Sequence, residues 1–349
     1  MIRYQLYLQD LQKAAQLPDW DMLKGRSIMI SGATGMIGSF LVDLIFYQNK
    51  YADLDCTVYA LGRNPNKAKE RFEAYWGDPH FQFLSCDINQ EIPLETEQVD
   101  YILHAASNTH PVAYATDPIG TVTTNIIGTY NLLEFAANHK TRRFIFASTV
   151  EVYGENRGDT EYFAEDYCGY IDCNTLRAGY PESKRAGEAL CQAYIKQKNL
   201  DIVIPRLSRV YGPTMLMSDT KALSQFIKNS LAGEDIVLKS AGTQFFSYSY
   251  VADAVTGILY CLMRGETGHA YNIADPSSDI TLRELAQLIA EQAGTKVVFD
   301  IPDAVESAGF SKATKAILDN SKLYHLGWRP QWNIQTGINH TMKLLKDTP

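Results

Sequence analysis

One stretch, Gly32-Ala33-Thr34-Gly35-Met36-Ile37-Gly38, constrains this chain more than any other. It lies between a short apolar run, Ser27–Ser31 (SIMIS), and a helical pattern from Gly38 to Tyr47. Glycine at 32, 35 and 38 permits a tight turn, close approach of the backbone to an anion and close packing of helix on strand. A helix that starts here turns unpaired N–H groups and the positive end of its dipole toward a pyrophosphate. The strand before and the helix after make the triplet a dinucleotide-binding signal rather than a plain turn.

The alternation continues. Thr57–Leu61, Phe81–Leu84, Tyr101–His104, Arg143–Ala147 and Ile202–Pro205 are short apolar runs; Asn125–Ala137 and Pro181–Lys198 carry helical patterns. Such a rhythm implies βαβ units and a parallel sheet covered on both faces. After Gly212 the pieces shorten: Phe226–Leu231, Ala254–Met263 and Leu282–Ala293, the last with Thr281 as N-cap and Glu284 in its first turn. The expected fold is α/β. A Rossmann doubly wound parallel sheet spans residues 25–205 and includes the helix from Pro181. A smaller mixed α/β C-terminal lobe for substrate spans 206–349, with some segments returning to the first domain. Residues 1–24 read as an N-terminal helical extension, with Leu6, Leu8, Leu11 and Leu17 as its apolar positions. The cleft between the lobes is the natural ligand site.

Composition narrows the partners. The 349 residues are 46% apolar, enough for a sizeable core, and the net charge of −8 argues against a broad basic surface for nucleic acid. No run of about 18 uncharged apolar residues occurs, so no spanning helix and no membrane partner is expected. Arg3, Asp10, Lys13, Asp19 and Asp21 interrupt any signal-like apolar stretch, and the expectation is a cytoplasmic protein. The cysteines at 56, 86, 168, 173, 191 and 261 form no Cys-x-x-Cys pair; they read as reduced thiols, with no metal centre.

The end of the second strand reads Leu61-Gly62-Arg63-Asn64. A carboxylate there would bond the adenosine ribose; a basic residue would accept a 2′-phosphate. Arg63 therefore leans the cofactor, NAD or NADP, slightly toward NADP. Asp87 follows the third strand as a candidate for the adenine end. The chemistry is carried by Tyr180-Pro181-Glu182-Ser183-Lys184. Pro181 suits a first helical turn, and Lys184 lies one turn after Tyr180 on the same face. A free tyrosine has a pKa of about 10; a nearby ammonium favours the phenolate, which can take a proton from a substrate hydroxyl. In Ser148-Thr149-Val150-Glu151 after the fifth strand, Thr149 can orient the reacting oxygen and Glu151 can act as acid or base on the adjoining carbon. His104, at a strand end, reads as packed or cofactor-adjacent rather than as a general base; Tyr248 and Tyr250 read either as lining a ligand pocket or as core or interface.

These stretches resemble the extended short-chain dehydrogenase/reductase family over about residues 25–345. GATGMIG, HAAS at 104–107, TNIIGTYNLLE at 124–134, STVEVYG at 148–154, YPESK at 180–184, RVYGP at 209–213, YVADA at 250–254 and the late SKLYHLGWRP carry the likeness. RAGYPESKRAGE (177–188) and GPTMLMSDTKALSQFI (212–227) are most similar to UDP-glucuronate decarboxylases. The resemblance implies a homodimer acting on a nucleotide-sugar, with Thr149, Glu151, Tyr180 and Lys184 catalytic. It implies dinucleotide contacts from Gly32, Thr34, Gly35, Met36, Ile37, Gly38, Arg63, Asp87, Ile88, Ala105, Ala106, Ser107 and Asn125, joined by Tyr180 and Lys184, and substrate contacts from Arg177, Arg209 and Tyr248. The implied cycle is redox-neutral: C4 is oxidised, the ketone activates the neighbouring carbon for decarboxylation, epimerisation or dehydration, and hydride returns.

Three positions depart from the family pattern. Val150 stands where the dehydratases have Asp. Phe246, in GTQFFSYSYV, stands where an arginine for the diphosphate is expected. Arg209 stands where an asparagine is usual, and is expected to supply the missing charge, a role that guanidinium chemistry suits. The alternative is an NADPH-dependent reductase of a nucleotide-linked or free carbonyl, which Gly62-Arg63 favours. A non-catalytic dinucleotide sensor has no use for the Thr149, Tyr180 and Lys184 set.

Overall fold

The computed structural model describes residues 1–93, 98–109, 111–300 and 314–347. Its first strands are β1 (Ser27–Ser31), β2 (Thr57–Gly62), β3 (Phe81–Ser85), β4 (Tyr101–His104), β5 (Arg143–Phe146), β6 (Ser148–Thr149) and β7 (Ile202–Leu207). The smaller lobe adds β8 (Arg209–Tyr211), β9 (Ile236–Leu238), β10 (Phe245–Phe246), β11 (Tyr248–Tyr250), β12 (Ala270–Ile273), β13 (Ile280–Thr281), β14 (Val297–Phe299) and β15 (Lys315–Ala316). The main sheet runs β12-β7-β5-β4-β1-β2-β3, with β6 also on β7. All of its pairings are parallel. The five residues of β1 are all buried, as a strand covered on both faces requires. Chain order reverses at β1, between β2 and β4, which opens the crevice where such sheets bind ligands.

The helices that matter for the site are α1 (Gln5–Ala14), α2 (Met36–Ala52), α3 (Pro65–Arg71), α4 (Pro111–Thr116), α5 (Pro118–Asn138) and α6 (Gly179–Lys198). The expected helices at 38–47 and 125–137 are thus the inner parts of longer ones. Asp117, whose side chain accepts from Gly120 N–H, and Pro118 start α5 a full two turns earlier. Later come α7 (Ala222–Leu231), α8 (Val251–Arg264), α9 (Leu282–Ala293), α10 (Ser321–His325) and α11 (Ile334–Asp347). Thr281 and Glu284 form a full capping box on α9.

The smaller lobe is a set of two- and three-stranded pieces: β13-β10-β15, β11-β8 and β14-β9. Strand β12 returns to the main sheet beside β7, and α8 packs on β5 and β7. Residues 1–24 are not an appendage. Tyr7 is fully buried and donates to Asp43 at 2.6 Å. Asp10, 1% exposed, accepts from Tyr250, Trp332 and His340 at 2.6–2.9 Å. The buried face of α1 is therefore Tyr7, Asp10, Leu11 and Ala14, with Leu6 and Leu8 only half-buried. Leucine spacing misread it because a carboxylate and a tyrosine carry the inner face. Among the described residues no helix is long and apolar enough to cross a membrane.

Candidate active site

The glycine loop is built by exclusion. Gly32 has φ +73, and a Cβ there would lie 2.9 Å from Ala106 Cα. A Cβ on Gly38 would lie 2.5 Å from Gly32 O and 2.7 Å from Ala33 Cα. Both collisions are with backbone, which cannot swing aside. Gly35 N–H closes the turn onto Gly32 O at 2.9 Å, and Gly35 is the N-cap of α2 without a side-chain cap. The N–H groups of Met36, Ile37 and Gly38 thus open the helix toward the crevice. Thr34, Gly35, Met36 and Ile37 are half-buried. This cradle fits a dinucleotide pyrophosphate.

The neighbouring strand ends complete the floor. Ser31 Oγ accepts from the N–H groups of Ala105 and Ala106 at 3.2 Å each, tying the end of β4 to that of β1. His104 is buried between Ser31 (2.8 Å) and Thr129 (3.0 Å), and burial holds its pKa well below the usual histidine range; it is a neutral packed ring. Arg63 and Asp87 are both exposed beyond adjacent strand ends, since Gly62 pairs with Ser85. Ile88 is buried against Gly128. Asn125 accepts from Ser107 Oγ at 2.7 Å and donates to Ser183 Oγ at 2.9 Å. It therefore clasps the β4 loop to α6 and works through those two serines.

The catalytic candidates converge. Thr149, at the end of β6, lies beside β7 with Leu207 as its register partner. Tyr180 and Lys184 stand on the first turns of α6, both buried. Burial raises the Tyr180 phenol; a hydrogen bond with Thr149 lowers it, Glu151 raises it and Arg177 lowers it. Glu151 and Arg177 are thus among the charges that act on the phenol. Lys184 Nζ donates to Ala147 O at 2.9 Å and lies 4.8 Å from the Phe146 ring centre. Its pKa is brought down to about 8, chiefly by burial. One N–H is spent on Ala147, and two remain for a ligand.

Glu151 sits in the 3₁₀ turn Val150–Tyr153, where Thr149 caps its N–H at 3.3 Å. Arg177, in the turn before α6, donates to its carboxylate at 2.8 Å. The sequence reading did not find Tyr114. Its ring stacks on Tyr180, with centroids 5.0 Å apart at 26°, and the Arg177 guanidinium lies 5.0 Å from the Tyr114 centroid. Its only sequence signal is its place in the segment leaving β4 at the site edge. Beneath, Ser148 donates to Glu188 at 2.5 Å, and Arg206 forks onto Glu188 and reaches Tyr153 at 3.0 Å. This polar layer fixes the end of β6. The run Tyr162–Tyr170 is docked on it: Phe163 stacks on Tyr153 and bridges to Leu318.

Of the substrate candidates, Arg177 joins the cluster. Tyr248 does not open to the cleft: it is 3% exposed and packs in the core beside Arg209, its register partner across β8 and β11. The apolar environment pushes its phenol up to about 12. Tyr250 is also core, bonded to Asp10. The segment 212–227 reaches the glycine loop, where Thr214 donates to Met36 O at 2.9 Å. Among the described residues no cluster of metal-ligating side chains occurs.

Known proteins share this architecture. A profile of the NAD dependent epimerase/dehydratase family matches residues 28–274. UDP-glucuronic acid decarboxylase 3 of Arabidopsis thaliana is 32% identical over 317 residues, covering 89% of this chain and 86% of that protein. UDP-glucuronic acid decarboxylase 1 of Xenopus tropicalis is 31% identical, covering 91% and 71%. Two solved structures share the fold. The dTDP-glucose 4,6-dehydratase of Streptomyces venezuelae with NAD bound has a TM-score of 0.78 at 24% identity, covering 92% and 97% of the two chains. The UDP-glucuronic acid 4-epimerase of Bacillus cereus, in complex with UDP-glucuronic acid and NAD, has a TM-score of 0.76 at 24% identity, covering 92% and 99%.

Proposed function

The chain belongs to the NAD dependent epimerase/dehydratase family, and from that premise we propose that it oxidises a UDP-linked sugar transiently at C4 and then works on the adjoining C5. It is a nucleotide-sugar-modifying enzyme of the extended short-chain dehydrogenase/reductase type. The observation that carries the finer reading is the meeting of Glu151 with Thr149, Tyr180 and Arg177 in one cluster. A proton-transfer set for C4 alone has no use for a carboxylate paired beside the tyrosine.

A nicotinamide dinucleotide held by Gly32, Gly35, Gly38 and the first N–H groups of α2 supplies reversible two-electron oxidation of the sugar carbon. The protein supplies the rest. Tyr180, as phenolate, takes the proton of the C4 hydroxyl, and Thr149 holds that oxygen and the phenol in line. The Lys184 ammonium, buried at one end of α6, offers its free N–H groups and its charge to the same site. Glu151 gives or takes the proton at C5, with Arg177 fixing where its carboxylate stands. The printed names of the relatives make UDP-glucuronate the first substrate to try. In D₂O the product should carry deuterium at C5, and Glu151→Gln should abolish that label while UDP-glucuronate still binds. A product formed without solvent deuterium at C5 contradicts the role of Glu151.

The second reading, a net NADPH-consuming reductase, rests on Arg63, exposed beyond β2 where no carboxylate stands. Competition between NAD and NADP for the protein, with Arg63→Ala as control, decides it: an unchanged ratio in the variant removes Arg63 as a 2′-phosphate contact. We also place a homodimer contact on α5. Ile119, Ile126, Ile127 and Tyr130 are exposed on one stripe of that helix, and Ile119 alone is 77% exposed. Ile126→Glu should yield monomers by light scattering.

A further inference from the structure

Arg209 is a charged side chain that stacks on an aromatic ring but has no carboxylate partner among the described residues. It opens β8, two residues beyond Leu207, and Leu207 is the register partner of Thr149. Residue 209 thus follows closely on the strand end that lies beside Thr149. It is half-buried, and its carbon lies 3.5 Å from the centroid of the Phe246 ring. Tyr248, its partner across β11, closes the side behind it. Nη1 is fully buried and has no hydrogen-bond partner among the described residues. Among the described residues no carboxylate forms an ion pair with Arg209.

Arginine does not shed its proton in proteins. A buried N–H on a permanent cation, with no acceptor, is a costly arrangement unless a ligand supplies the acceptor. Stacking on Phe246 covers one face of the plane and the fold covers Nη1, which leaves the Nε and Nη2 edge of the guanidinium to grip an oxyanion with two parallel bonds. A lysine at 209 would keep the charge but lose both the stack and the fork.

We infer that Arg209, held flat on Phe246, is the oxyanion-binding residue of the substrate lobe and decides which nucleotide-sugars this chain accepts. The inference rests on the proposed nucleotide-sugar reading for the identity of the ligand. The charge stands on β8 where the family pattern places it on β10, and Phe246 has become its platform. A nucleotide-sugar offers two oxyanions, the diphosphate and, in a uronate, the C6 carboxylate.

The test is calorimetric binding of UDP, UDP-glucose and UDP-glucuronate to the whole protein and to Arg209→Gln, with dinucleotide binding as the control for folding. A loss of about 10- to 100-fold is expected. Equal losses for all three ligands assign the diphosphate; a loss confined to UDP-glucuronate assigns the carboxylate. Arg209→Asn/Phe246→Arg, which returns a guanidinium to the same contact from the facing strand, should recover most of the affinity. Unchanged affinity of Arg209→Gln for all three ligands overturns the inference. If the wild-type protein binds none of them, the UDP-sugar reading fails instead, and inorganic pyrophosphate becomes the probe. Thermal protection by pyrophosphate that Arg209→Gln loses keeps the oxyanion site; equal protection of both overturns it.

Discussion

The glycine cradle at β1–α2 and the Arg209 edge of the smaller lobe are built in opposite ways. The cradle is made of backbone: Gly32 and Gly38 work by lacking a Cβ, and the contacts they protect are with Ala106, Ala33 and each other. The Arg209 edge is made of side chains brought together from different strands: a guanidinium on β8, a ring on β10 and a tyrosine on β11. Backbone geometry tolerates almost no variation, so the cradle keeps its ligand class. A side-chain contact can be moved to the facing strand, so the substrate edge is where specificity is free to change.

The comparison is broken most readily at the cradle. Gly38→Val drives a branched side chain into Gly32 O and Ala33, and dinucleotide binding should fall below detection in calorimetry, with a lowered Tm. A variant that binds the dinucleotide as tightly as wild type would show that the loop is only a turn. Next in size is Tyr180→Phe. It should cut kcat by about 10²–10⁴-fold while nucleotide-sugar affinity stays within a few-fold, because only the proton-transfer group is lost. A loss confined to KM would move Tyr180 from chemistry to binding.

Lys184 sharpens the contrast between stability and function. Its pKa is depressed to about 8 from 10.5, so burial favours the neutral amine. Its contribution to stability is present above pH 10.5 and is lost as pH falls through about 8; at pH 7 the buried ammonium is a cost. Lys184→Met should therefore stabilise the unliganded protein by about 1–3 kcal/mol at pH 7, less at pH 10, while turnover drops. Equal stability of the two proteins at both pH values would contradict this. The smallest effect is expected far from the cleft. Asp10→Asn weakens two buried hydrogen bonds, from Tyr250 and Trp332, and a part-buried one with His340, and should cost about 1–3 kcal/mol by denaturant titration, leaving kcat unchanged.

What could be read in the sequence follows the same division. Strands β1–β5 and β7 of the main sheet stand in it as apolar runs, and β4 matches the run Tyr101–His104 end for end, whereas the two-residue β6 and the returning β12 were not read as strands. The glycines, Tyr180 and Lys184 were legible because a strand–turn–helix context fixes where they stand. Tyr114 was not, since nothing in its spacing shows that its ring lies on Tyr180. The inner face of α1 was misread because Asp10 and Tyr7 are buried by partners as distant as Trp332 and His340. Tyr248 could be read as a pocket or a core residue, and its burial beside Arg209 was not visible in the spacing. Local pattern sets elements; long-range pairing sets which side chains meet.

The central claim is a redox-neutral cycle in which the dinucleotide stays on the protein. It is tested most directly by purifying the chain without added dinucleotide, denaturing it and identifying what is released by mass spectrometry. Near-stoichiometric NAD is the expected result. Empty sites that fill with NADPH in preference to NADH would contradict the account and favour the reductase.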